Sequence, residues 1–491
     1  MRELPFDTIL IANRGEIAVR LINTVRKLGL RSAVVYHDAD AGAPAVSMAD
    51  IAIAISGRTP TAAYLDVAQI IAAARKARAG ALHPGYGFLS ENAEFARAVI
   101  EAGIAFIGPT PDSIELMGDK IRARNFVQRN GFQVGLSAIE EDDPETFTAR
   151  ARAVGAPLLV KPSAGGGGKG MRIVRDLDTL EDAIAQARSE GQKYFGDGRL
   201  YVERYVENPR HIEVQVLGDC FGNVVHLFER ECSVQRRFQK IIEETPSPAL
   251  SSELRTRICE TAVSIARAAN YRNAGTVEFV FGGGEFYFLE MNTRLQVEHT
   301  VTEMITGIDL VAQQIYVAAG HQLGFSQSDV VSKGHAIEAR LCAEAPERGY
   351  IPTTGKILML RYPDGDGVRV DSGILQGQQI TTAFDPMLAK IIVHSPTRVE
   401  AAMKAHRAMR NLVLLGCETN ASFLARILRD ETFLSGQLHT GYLEENPHIA
   451  SGESASDLLA FLATAALLTR PVRESADAVP ELHAALGSWR N

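Results

Sequence analysis

Short apolar strands alternate with amphipathic helices through the first part of the chain. The run TILIA at residues 8–12 has the length of a strand, and the apolar residues after it recur at helical spacing: Ile17, Leu21, Val25 and Leu28. Later segments repeat both patterns, with strand-like runs at 32–36 and 51–55 and helical patterns over 64–78 and 91–102. Such alternation is typical of a parallel, doubly wound α/β sheet. We therefore expect residues 1–115 to form one α/β domain.

Two different patterns follow. Between residues 131 and 204 lies a smaller unit centred on PLLVKPSAGGGGKGMRIV, in which two strand-like runs flank a glycine-rich loop. Beyond residue 205 the strands are longer and their polar and apolar residues alternate, as in HIEVQVLGD, GNVVHLFER and EFYFLEM. Strands of this kind with helices between them indicate a larger α+β domain with an antiparallel sheet.

The composition excludes several classes of protein. The 491 residues include 51 Lys and Arg against 59 Asp and Glu, and a net charge of −8 gives no electrostatic reason to bind nucleic acid or an anionic membrane. The apolar stretch at 458–468 is far shorter than the roughly 20 residues of a membrane-spanning helix. The five cysteines are far apart and form no CxxC pair, which indicates reduced thiols. We predict a cytoplasmic protein with no nucleic-acid and no membrane partner.

A glycine run at 165–168, with Lys169 and Gly170 after it, formally matches GxGxxG. That fingerprint opens a helix, whereas MRIVRD after Gly170 alternates like a strand. A Walker loop is excluded because Lys169 is followed by glycine instead of Ser or Thr. What remains is a hairpin whose tip lets backbone N–H groups approach phosphate, with Lys161 and Lys169 supplying positive charge. The alternative is a flexible loop without a function.

Two glutamates and an asparagine lie around a second glycine run. If Gly282–Gly284 form a three-residue hairpin loop, then Glu278, Glu290 and Asn292 share one face of the hairpin. Carboxylates about 5 Å apart repel by about 3 kcal/mol at an effective dielectric constant near 20, so a cation should lie between them. An oxygen-only set suits Mg²⁺ or Mn²⁺. The alternatives are a solvated acidic edge, and a two-residue loop that moves Glu278 to the other face.

Polar and mostly apolar residues then alternate strictly. In an extended segment, Asn292, Arg294, Gln296 and Glu298 line one side. An arginine that binds an oxyanion, an amide and a carboxylate that accepts a proton can hold a small acid such as bicarbonate. The alternative is an ordinary strand with its polar face in water. Five further residues are weaker candidates, since each is more typical of surface charge or of a structural histidine: Lys120, His211, Gln235, Lys240 and Arg340.

Nine motifs stand in order along the chain: IANRGEIA, HPGYGFLSEN, MGDK, KPSAGGGGKGM, ENPRHIEVQ, ERECSVQRR, AGTVEF, EMNTRLQVEH and VTEMITGIDLV. Together they closely resemble the biotin carboxylase family, the ATP-grasp component of biotin-dependent carboxylases. The similarity covers residues 6–447. It implies a Rossmann-like N-terminal domain over 1–115, an ATP-grasp domain over 116–330 with a mobile lid at 131–204, a C-terminal domain over 331–447 and a linker-like tail at 448–491.

The resemblance also implies a reaction. Bicarbonate attacks the γ-phosphate of ATP to give carboxyphosphate, and the CO₂ passes to N1′ of biotin on a carrier protein, as the first half-reaction of an acyl-CoA carboxylase. ATP and Mg²⁺ or Mn²⁺ are the implied cofactors, and carrier-bound biotin is a substrate. The implied partners are a biotin carboxyl carrier protein or domain in trans, a second copy in a homodimer and a carboxyltransferase subunit. Two alternatives stay open: an ATP-grasp carboxylase of another acceptor such as urea, and an inactive scaffold.

The family's functional residues carry over by motif position. For the nucleotide the resemblance implies Lys120, Lys161, Gly166, Gly167, Gly168, Met171, Glu203, Arg204, Val206, His211, Gln235, Glu278 and Glu290. For the metal it implies Glu278, Glu290 and Asn292. Glu298 would take the bicarbonate proton, and the anion would be positioned by Lys240, Arg294, Gln296 and the backbone of Val297. Arg340 would stabilise the enolate-like form of biotin.

Three residues depart from the family pattern. Phe238 replaces a polar residue near the nucleotide, Thr300 replaces a proline, and Thr440 replaces an apolar residue that packs on adenine. A Met-Lys pair at 403–404 looks like a biotin attachment site, but it lies in a helical pattern, whereas a biotinylated lysine needs a hairpin tip. We therefore expect biotin to arrive on another chain or domain.

Overall fold

The structure, a computed structural model, describes residues 3–163 and 170–451. The predictions for Gly166, Gly167 and Gly168 and for the tail beyond Ser451 lie outside the described residues. The N-terminal strands are β1 (Thr8–Ile11), β2 (Arg31–Tyr36), β3 (Ile51–Ala54), β4 (Ala81–His83) and β5 (Ala105–Phe106). They form a parallel sheet in the order β3-β2-β1-β4-β5. The helices are α1 (Gly15–Lys27), α2 (Pro44–Met48), α3 (Pro60–Tyr64), α4 (Val67–Ala77) and α5 (Ala93–Glu101).

Neighbouring residues of β1 explain the doubly wound arrangement. Ile9 packs in the core that contains α1, whereas Leu10 packs in the core that contains α4 and α5. Successive side chains of a strand point to opposite faces, so both faces of the sheet are covered by helices. The predicted fold class is confirmed for this part of the chain.

A small antiparallel sheet follows helices α6 (Pro111–Gly118) and α7 (Lys120–Arg129). Its strands are β6 (Ser137–Ile139), β7 (Leu158–Pro162), β8 (Arg172–Val174) and β9 (Leu200–Arg204), in the order β6-β9-β7-β8. Helices α8 (Phe147–Val154) and α9 (Leu180–Phe195) accompany these strands. The glycine-rich residues connect β7 to β8, as the sequence pattern predicts.

The largest sheet joins the central and C-terminal parts of the chain. Its first five strands are β10 (Arg210–Gly218), β11 (Val224–Arg236), β12 (Gln239–Thr245), β13 (Asn273–Gly282) and β14 (Glu285–Asn292). The C-terminal part adds β15 (His335–Cys342), β20 (Val368–Ser372) and β22 (Met387–Ser395). The order is β14-β13-β10-β11-β12-β15-β22-β20, and neighbouring strands are antiparallel. The α+β prediction is therefore confirmed.

The other C-terminal strands are short: β16 (Glu344–Ala345), β17 (Ile351–Pro352), β18 (Gly355–Lys356), β19 (Met359–Arg361), β21 (Gln379–Ile380) and β23 (Val413–Leu415). The remaining helices are α10 (Ser252–Ala268), α11 (His299–Thr306), α12 (Leu310–Ala318), α13 (Arg398–Asn411), α14 (Ala421–Ile427), α15 (Glu431–Ser435) and α16 (Tyr442–Glu445). The Met-Lys pair at 403–404 lies in α13, as its helical pattern predicts. No helix of the described residues is long and apolar enough to cross a membrane.

One hydrophobic core joins the N-terminal sheet to the large sheet. Ile9 and Leu21 from the first domain pack together with Leu217 of β10, Leu227 of β11 and Leu295, which follows β14. Because close-packed cores resist sliding, this shared core fixes the N-terminal domain against the end of the hairpin β13–β14. The main cleft of the molecule opens at that junction.

Candidate active site

The cleft has a volume of about 1040 Å³, enough for a nucleotide-sized ligand. It lies between the start of α1, the hairpin β13–β14 and the C-terminal strands. Ten residues predicted for the site line it together: His211, Lys240, Glu278, Glu290, Asn292, Arg294, Gln296, Val297, Glu298 and Arg340. The cleft therefore brings together residues that are far apart in the chain. They include His211, Lys240 and Arg340, which were weak candidates when taken singly.

The hairpin β13–β14 differs from the predicted register. Gly282 pairs with Glu285, so the loop holds the two glycines 283–284 instead of three residues, and both have the positive φ that a two-residue turn needs. Leu289 then bulges out of β14 and adds one residue to that strand. The bulge shifts the pairing by a second residue, which restores the face that the shorter loop alone would have reversed. Glu278 consequently lies directly opposite Glu290, on the predicted face.

Basic side chains balance the charge of these two carboxylates. Lys240 Nζ lies 2.9 Å from one oxygen of Glu278, and His211 Nε2 lies 2.9 Å from the other. Lys120 Nζ lies 2.9 Å from Glu290 Oε2. Burial alone would raise the pKa of Glu278, but Lys240 and His211 hold that pKa well below its usual range. Protein side chains thus already meet part of the predicted need for a cation.

The donor set suits a divalent metal ion. Asn292 follows on the same face of β14, where its Nδ2 donates to Glu278 Oε1 at 2.8 Å and its Oδ1 accepts from Arg294 Nη2 at 2.9 Å. Glu290 keeps a partly exposed carboxylate beside them, with 28% of its side chain accessible. Two carboxylates and one amide oxygen are hard donors of the kind that Mg²⁺ prefers. The residues present therefore fit such an ion.

The segment after β14 does not stay extended as predicted. The strand ends at Asn292, and the chain turns at Val297 before α11 begins. The predicted extension to Glu298 is wrong because Leu295 is drawn into the core shared with the N-terminal sheet, which pulls the segment out of the large sheet. The polar side chains of the segment still line the cleft.

Hydrogen bonds fix two of those side chains. Gln296 Nε2 donates to Glu278 Oε1 at 2.7 Å, which ties the amide to the carboxylate pair. Arg294 Nε donates to Glu91 Oε2 at 2.9 Å. Glu91 belongs to the N-terminal domain and was not among the residues predicted from the sequence. Burial alone would lower the pKa of Arg294, but Glu91 and Glu298 raise it. Arg294 thus remains a cation at the edge of the cleft.

Glu298 is buried between two cations. Lys240 Nζ lies 2.7 Å from its Oε1, and Arg340 Nη2 lies 2.9 Å from its Oε2. Burial alone would raise the pKa of Glu298, but Lys240 and Arg340 hold it well below its usual range. Glu298 is therefore ionised near neutral pH and able to accept a proton from an acid bound beside it.

Arg340 also binds a second carboxylate. Its Nε donates to Glu243 Oε1 at 2.6 Å, so the guanidinium bridges Glu243 and Glu298. Burial raises the pKa of Glu243 to about 8, although Arg340 opposes that rise. Burial would lower the pKa of Arg340 itself, but the two glutamates keep it raised. The bridge fixes the direction in which the guanidinium points.

A buried arginine that was not predicted connects several site residues. Arg230 is fully buried and donates to Glu213 Oε1 at 2.5 Å, to Gln215 Oε1 at 2.9 Å and to Gln296 Oε1 at 2.6 Å. Glu213 accepts in turn from Lys240 at 2.5 Å. The alternation in HIEVQVLGD puts Glu213 and Gln215 on one face of β10, and a polar face of a strand is ordinarily in water. The face is instead covered by the site.

Lys161 and Gln235, two of the residues predicted for the nucleotide, are each held by another predicted residue. Lys161 forms an ion pair with Glu203 across β7 and β9. Burial alone would lower the pKa of Lys161, but Glu203 and Tyr201 raise it. Gln235 Nε2 lies 3.1 Å from His211 Nδ1, and the other ring nitrogen of His211 lies 2.9 Å from Glu278.

Seven described residues that were predicted for the nucleotide do not line the main cleft: Lys120, Lys161, Met171, Glu203, Arg204, Val206 and Gln235. Arg204 is exposed and donates to the carbonyl of Val154 at 3.4 Å. Val206 packs so closely against Gly282 that a Cβ on that glycine would clash with the valine side chain. Met171 lies just before β8. Their roles at the nucleotide stay predictions, as do those of the glycines outside the described residues.

The three departures from the family pattern have different surroundings. Phe238 lies in the tight turn between β11 and β12, lines the cleft and is 56% exposed. Thr300 is buried in α11, where its hydroxyl donates to Glu338. Thr440 donates its backbone N–H to the carbonyl of Pro209 at 2.9 Å. Thr300 therefore has a definite partner in this structure that proline would lack.

Comparisons with known proteins agree with this architecture. The chain matches the biotin carboxylase N-terminal domain over residues 5–114, the ATP-binding domain of the carbamoyl-phosphate synthase L chain over 119–326 and the biotin carboxylase C-terminal domain over 338–445. It is 46% identical over 452 residues to the biotin carboxylase of Halalkalibacterium halodurans, covering 91% of this chain and 100% of that one. It is also 45% identical over 462 residues to the pyruvate carboxylase of Bacillus subtilis, covering 91% of this chain and 40% of that one.

Solved structures give the same result. The biotin carboxylase domain dimer of Hydrogenobacter thermophilus 2-oxoglutarate carboxylase, in complex with MgADP, ADP and bicarbonate, has a TM-score of 0.88 and 43% identity and covers 92% of this chain and 100% of that one. The Campylobacter jejuni biotin carboxylase in an ATP complex has a TM-score of 0.85 and 42% identity, with 90% and 99% covered. With a cleft that combines an oxygen-donor set and a buried glutamate between two cations, this chain belongs to the biotin carboxylase family.

Proposed function

We propose that the protein is an ATP-dependent biotin carboxylase, which uses ATP and bicarbonate to carboxylate N1′ of biotin on a carrier. The observation that carries the proposal is Glu298, an ionised and buried carboxylate held between Lys240 and Arg340. It lies in one cleft with the donors Glu278 and Glu290. A relative of 43% identity has been solved with MgADP and bicarbonate, which supports the same ligands here.

The first step makes carboxyphosphate. An oxygen of bicarbonate attacks the γ-phosphorus of ATP, the bond to the β-phosphate oxygen breaks, and ADP leaves. Lys240 and Arg294 offer positive charge to the anion, and Gln296 offers an amide. Glu298 accepts the bicarbonate proton, which makes the attacking oxygen a better nucleophile.

Glu278, Glu290 and Asn292 would hold one divalent ion, either Mg²⁺ or Mn²⁺, because the same oxygen donors suit both. The ion would supply charge neutralisation on the phosphates during phosphoryl transfer. Lys120 and Lys161 add positive charge on the lid side of these donors. Both lysines are held by glutamates, so their ammonium groups are oriented before a nucleotide binds.

The second step transfers CO₂. Carboxyphosphate breaks into CO₂ and phosphate, the released phosphate takes the N1′ proton of biotin, and N1′ attacks the carbon of CO₂. Arg340 lies on the other side of Glu298 from Lys240, where its guanidinium can stabilise the enolate-like oxygen of deprotonated biotin. The Glu298 carboxylate thus lies between Lys240, which would bind bicarbonate, and Arg340, which would bind biotin.

The partners follow from the chemistry. Biotin would arrive on a carrier protein or domain in trans, and a carboxyltransferase subunit would use the carboxylated carrier. A homodimer is supported by the solved dimer of a related domain. The cytoplasmic location stays a prediction from composition.

A turnover assay tests the proposal. ADP formation should require bicarbonate and rise on addition of free biotin, and Glu298→Gln should lower it by about 100-fold or more. Glu101→Gln, an exposed glutamate at the end of α5, is the matched control and should leave turnover unchanged. Normal turnover in Glu298→Gln would contradict the mechanism. Stimulation by urea and none by biotin would assign another acceptor.

A further inference from the structure

Lys390 lies where three parts of the molecule meet. It belongs to β22 and is fully buried, which is rare for a lysine without specific partners. Its Nζ donates to the carbonyl oxygen of Val297 at 2.7 Å and lies 3.5 Å from Glu16 Oε2. One ammonium group therefore contacts both the segment before Glu298 and the first turn of α1.

The large sheet places Lys390 beside the biotin side of the site. Lys390 pairs with Arg340 on β15 and with Asp371 on β20. Directly opposed residues of an antiparallel pair share a face of the sheet. The positions of Arg340 and Lys390 relative to each other are thus fixed by backbone hydrogen bonds, and the ammonium group reaches from this fixed base to Val297.

The segment between β14 and α11, which Lys390 contacts, has no strand partner in the described part of the chain. Side chains therefore hydrogen-bond to its peptide groups. His299 Nδ1 lies 2.7 Å from the carbonyl of Gln296, and burial holds the pKa of His299 well below its usual value, so the neutral ring donates there. Lys390 does the same for the next carbonyl, that of Val297. Because a trans peptide is planar, fixing the Val297 carbonyl also fixes the N–H of Glu298 on the opposite side.

We propose that Lys390 is a positioning residue for bicarbonate. By holding the Val297–Glu298 peptide, it sets the direction of the Glu298 carboxylate and of the Val297 main chain toward a small oxyanion in the cleft. The inference rests on the proposed function and names a residue that acts through Val297 without touching the reacting atoms.

Glu16 ties the same contact to the N-terminal domain. The hydroxyl of Tyr86 donates to Glu16, and both residues line the cleft. Gly373, just after β20, packs so closely on this turn that a Cβ would meet the backbone nitrogen of Glu16 at 2.5 Å. The N-terminal turn, the anion-side segment and the C-terminal sheet are therefore held together at Lys390.

A purely structural role makes a different prediction. If Lys390 served only to balance the neighbouring acids Glu16, Glu338 and Asp371, its loss would lower stability and weaken every ligand alike. A positioning role instead affects bicarbonate selectively, because Val297 lies on the anion side of the cleft. Comparing the change in KM for bicarbonate with the change in KM for ATP therefore distinguishes the positioning role from the structural role.

The experiment uses the full chain and three variants. Lys390→Met removes the donor, and Lys390→Arg keeps a cation. The double variant Lys390→Met with Glu16→Gln removes the ammonium group together with the acidity of its partner, because burial raises the pKa of Glu16 to about 8 and an amide replaces that carboxyl without adding charge. Lys356→Met, an exposed lysine of β18, is the control.

We expect Lys390→Met and the double variant to raise the KM for bicarbonate by about 10-fold or more, with the KM for ATP within about twofold of wild type. Lys390→Arg should recover most of the loss, and the control should match wild type. Where the single variant fails to fold, the double variant and Lys390→Arg decide. An equal rise of both KM values, or an unchanged KM for bicarbonate, would overturn the proposal.

Crystal structures separate this inference from the proposed function. The Val297 carbonyl should turn away from its wild-type direction in the double variant, and an unmoved carbonyl would overturn the positioning role even if the enzyme proved inactive. Absence of bicarbonate-dependent ADP formation in the wild type would instead contradict the proposed function, on which the positioning role rests.

Discussion

Replacing Lys240 by methionine removes a cation that touches three buried carboxylates. Its Nζ lies 2.5 Å from Glu213, 2.9 Å from Glu278 and 2.7 Å from Glu298. At an effective dielectric constant near 20, opposite charges 2.7 Å apart attract by about 6 kcal/mol. If relaxation and water recover three quarters of this, about 1.5 kcal/mol is lost per carboxylate, which corresponds to about one pKa unit.

The sign of the effect on Glu298 follows from its surroundings. Burial raises the pKa of Glu298, and Lys240 is the first of the cations that hold it down. Without Lys240, burial and the neighbouring carboxylates act together and the pKa rises. Because only the ionised form accepts a proton, turnover should then fall with decreasing pH at a higher pH than in the wild type.

The assay is bicarbonate-dependent ADP formation, measured as kcat/KM for bicarbonate between about pH 5.5 and 9. The fall of activity with decreasing pH that reflects protonation of Glu298 should begin about one pH unit higher in Lys240→Met than in the wild type. Lys240→Arg, which keeps the charge, should retain the wild-type profile at reduced activity. A Lys240→Met profile parallel to that of the wild type would refute the reasoning, since it would show that Lys240 does not control the ionisation of Glu298.

Three other predictions follow from named contacts. Glu290→Gln should raise the Mg²⁺ concentration for half-maximal turnover by about 10-fold or more, and a Mg²⁺ titration with unchanged midpoint would rule out Glu290 as a ligand. Arg230→Met takes a buried cation from Glu213, which keeps Lys240, and also leaves the side-chain oxygens of Gln215 and Gln296 without this donor; it should lower the free energy of unfolding by about 3–5 kcal/mol in urea titrations; an unchanged midpoint would contradict this. Thr300→Val loses the hydrogen bond to Glu338 and should cost about 1–3 kcal/mol in the same measurement, whereas Thr300→Ser, which keeps the hydroxyl, should cost less.

The hairpin at the metal-side carboxylates shows how far sequence alone could go. The polar pattern placed Glu278 and Glu290 on one face, but with the wrong loop length. Three consecutive glycines gave no reason to choose between a two- and a three-residue loop, and the bulge at Leu289 leaves no mark in the polar and apolar pattern. The shared face survived because the two one-residue shifts add to two, and a shift of two residues returns a side chain to the same face.

The parallel N-terminal sheet was predictable because each strand and helix has its own local pattern. The contacts of Arg230 and Lys390 were not, because they depend on which distant strands become neighbours. Lys390 and Val297 are 93 residues apart in the chain, and neither has a motif that points to the other. A single lysine in a strand is ordinarily predicted to be a surface residue. Only the strand order shows that Lys390 is buried, because β22 lies between β15 and β20.

The pairing of β12 with β15 limits how the chain can be divided. Ile242 lies opposite Ala339, so backbone hydrogen bonds cross the boundary that the sequence places at residue 330. A fragment ending there would expose β12 as a bare edge, a template for unwanted association between copies. It would also lack Arg340. Engineers who wish to exchange parts between relatives should therefore cut elsewhere, because the last third of the polypeptide completes the same sheet that carries Lys240.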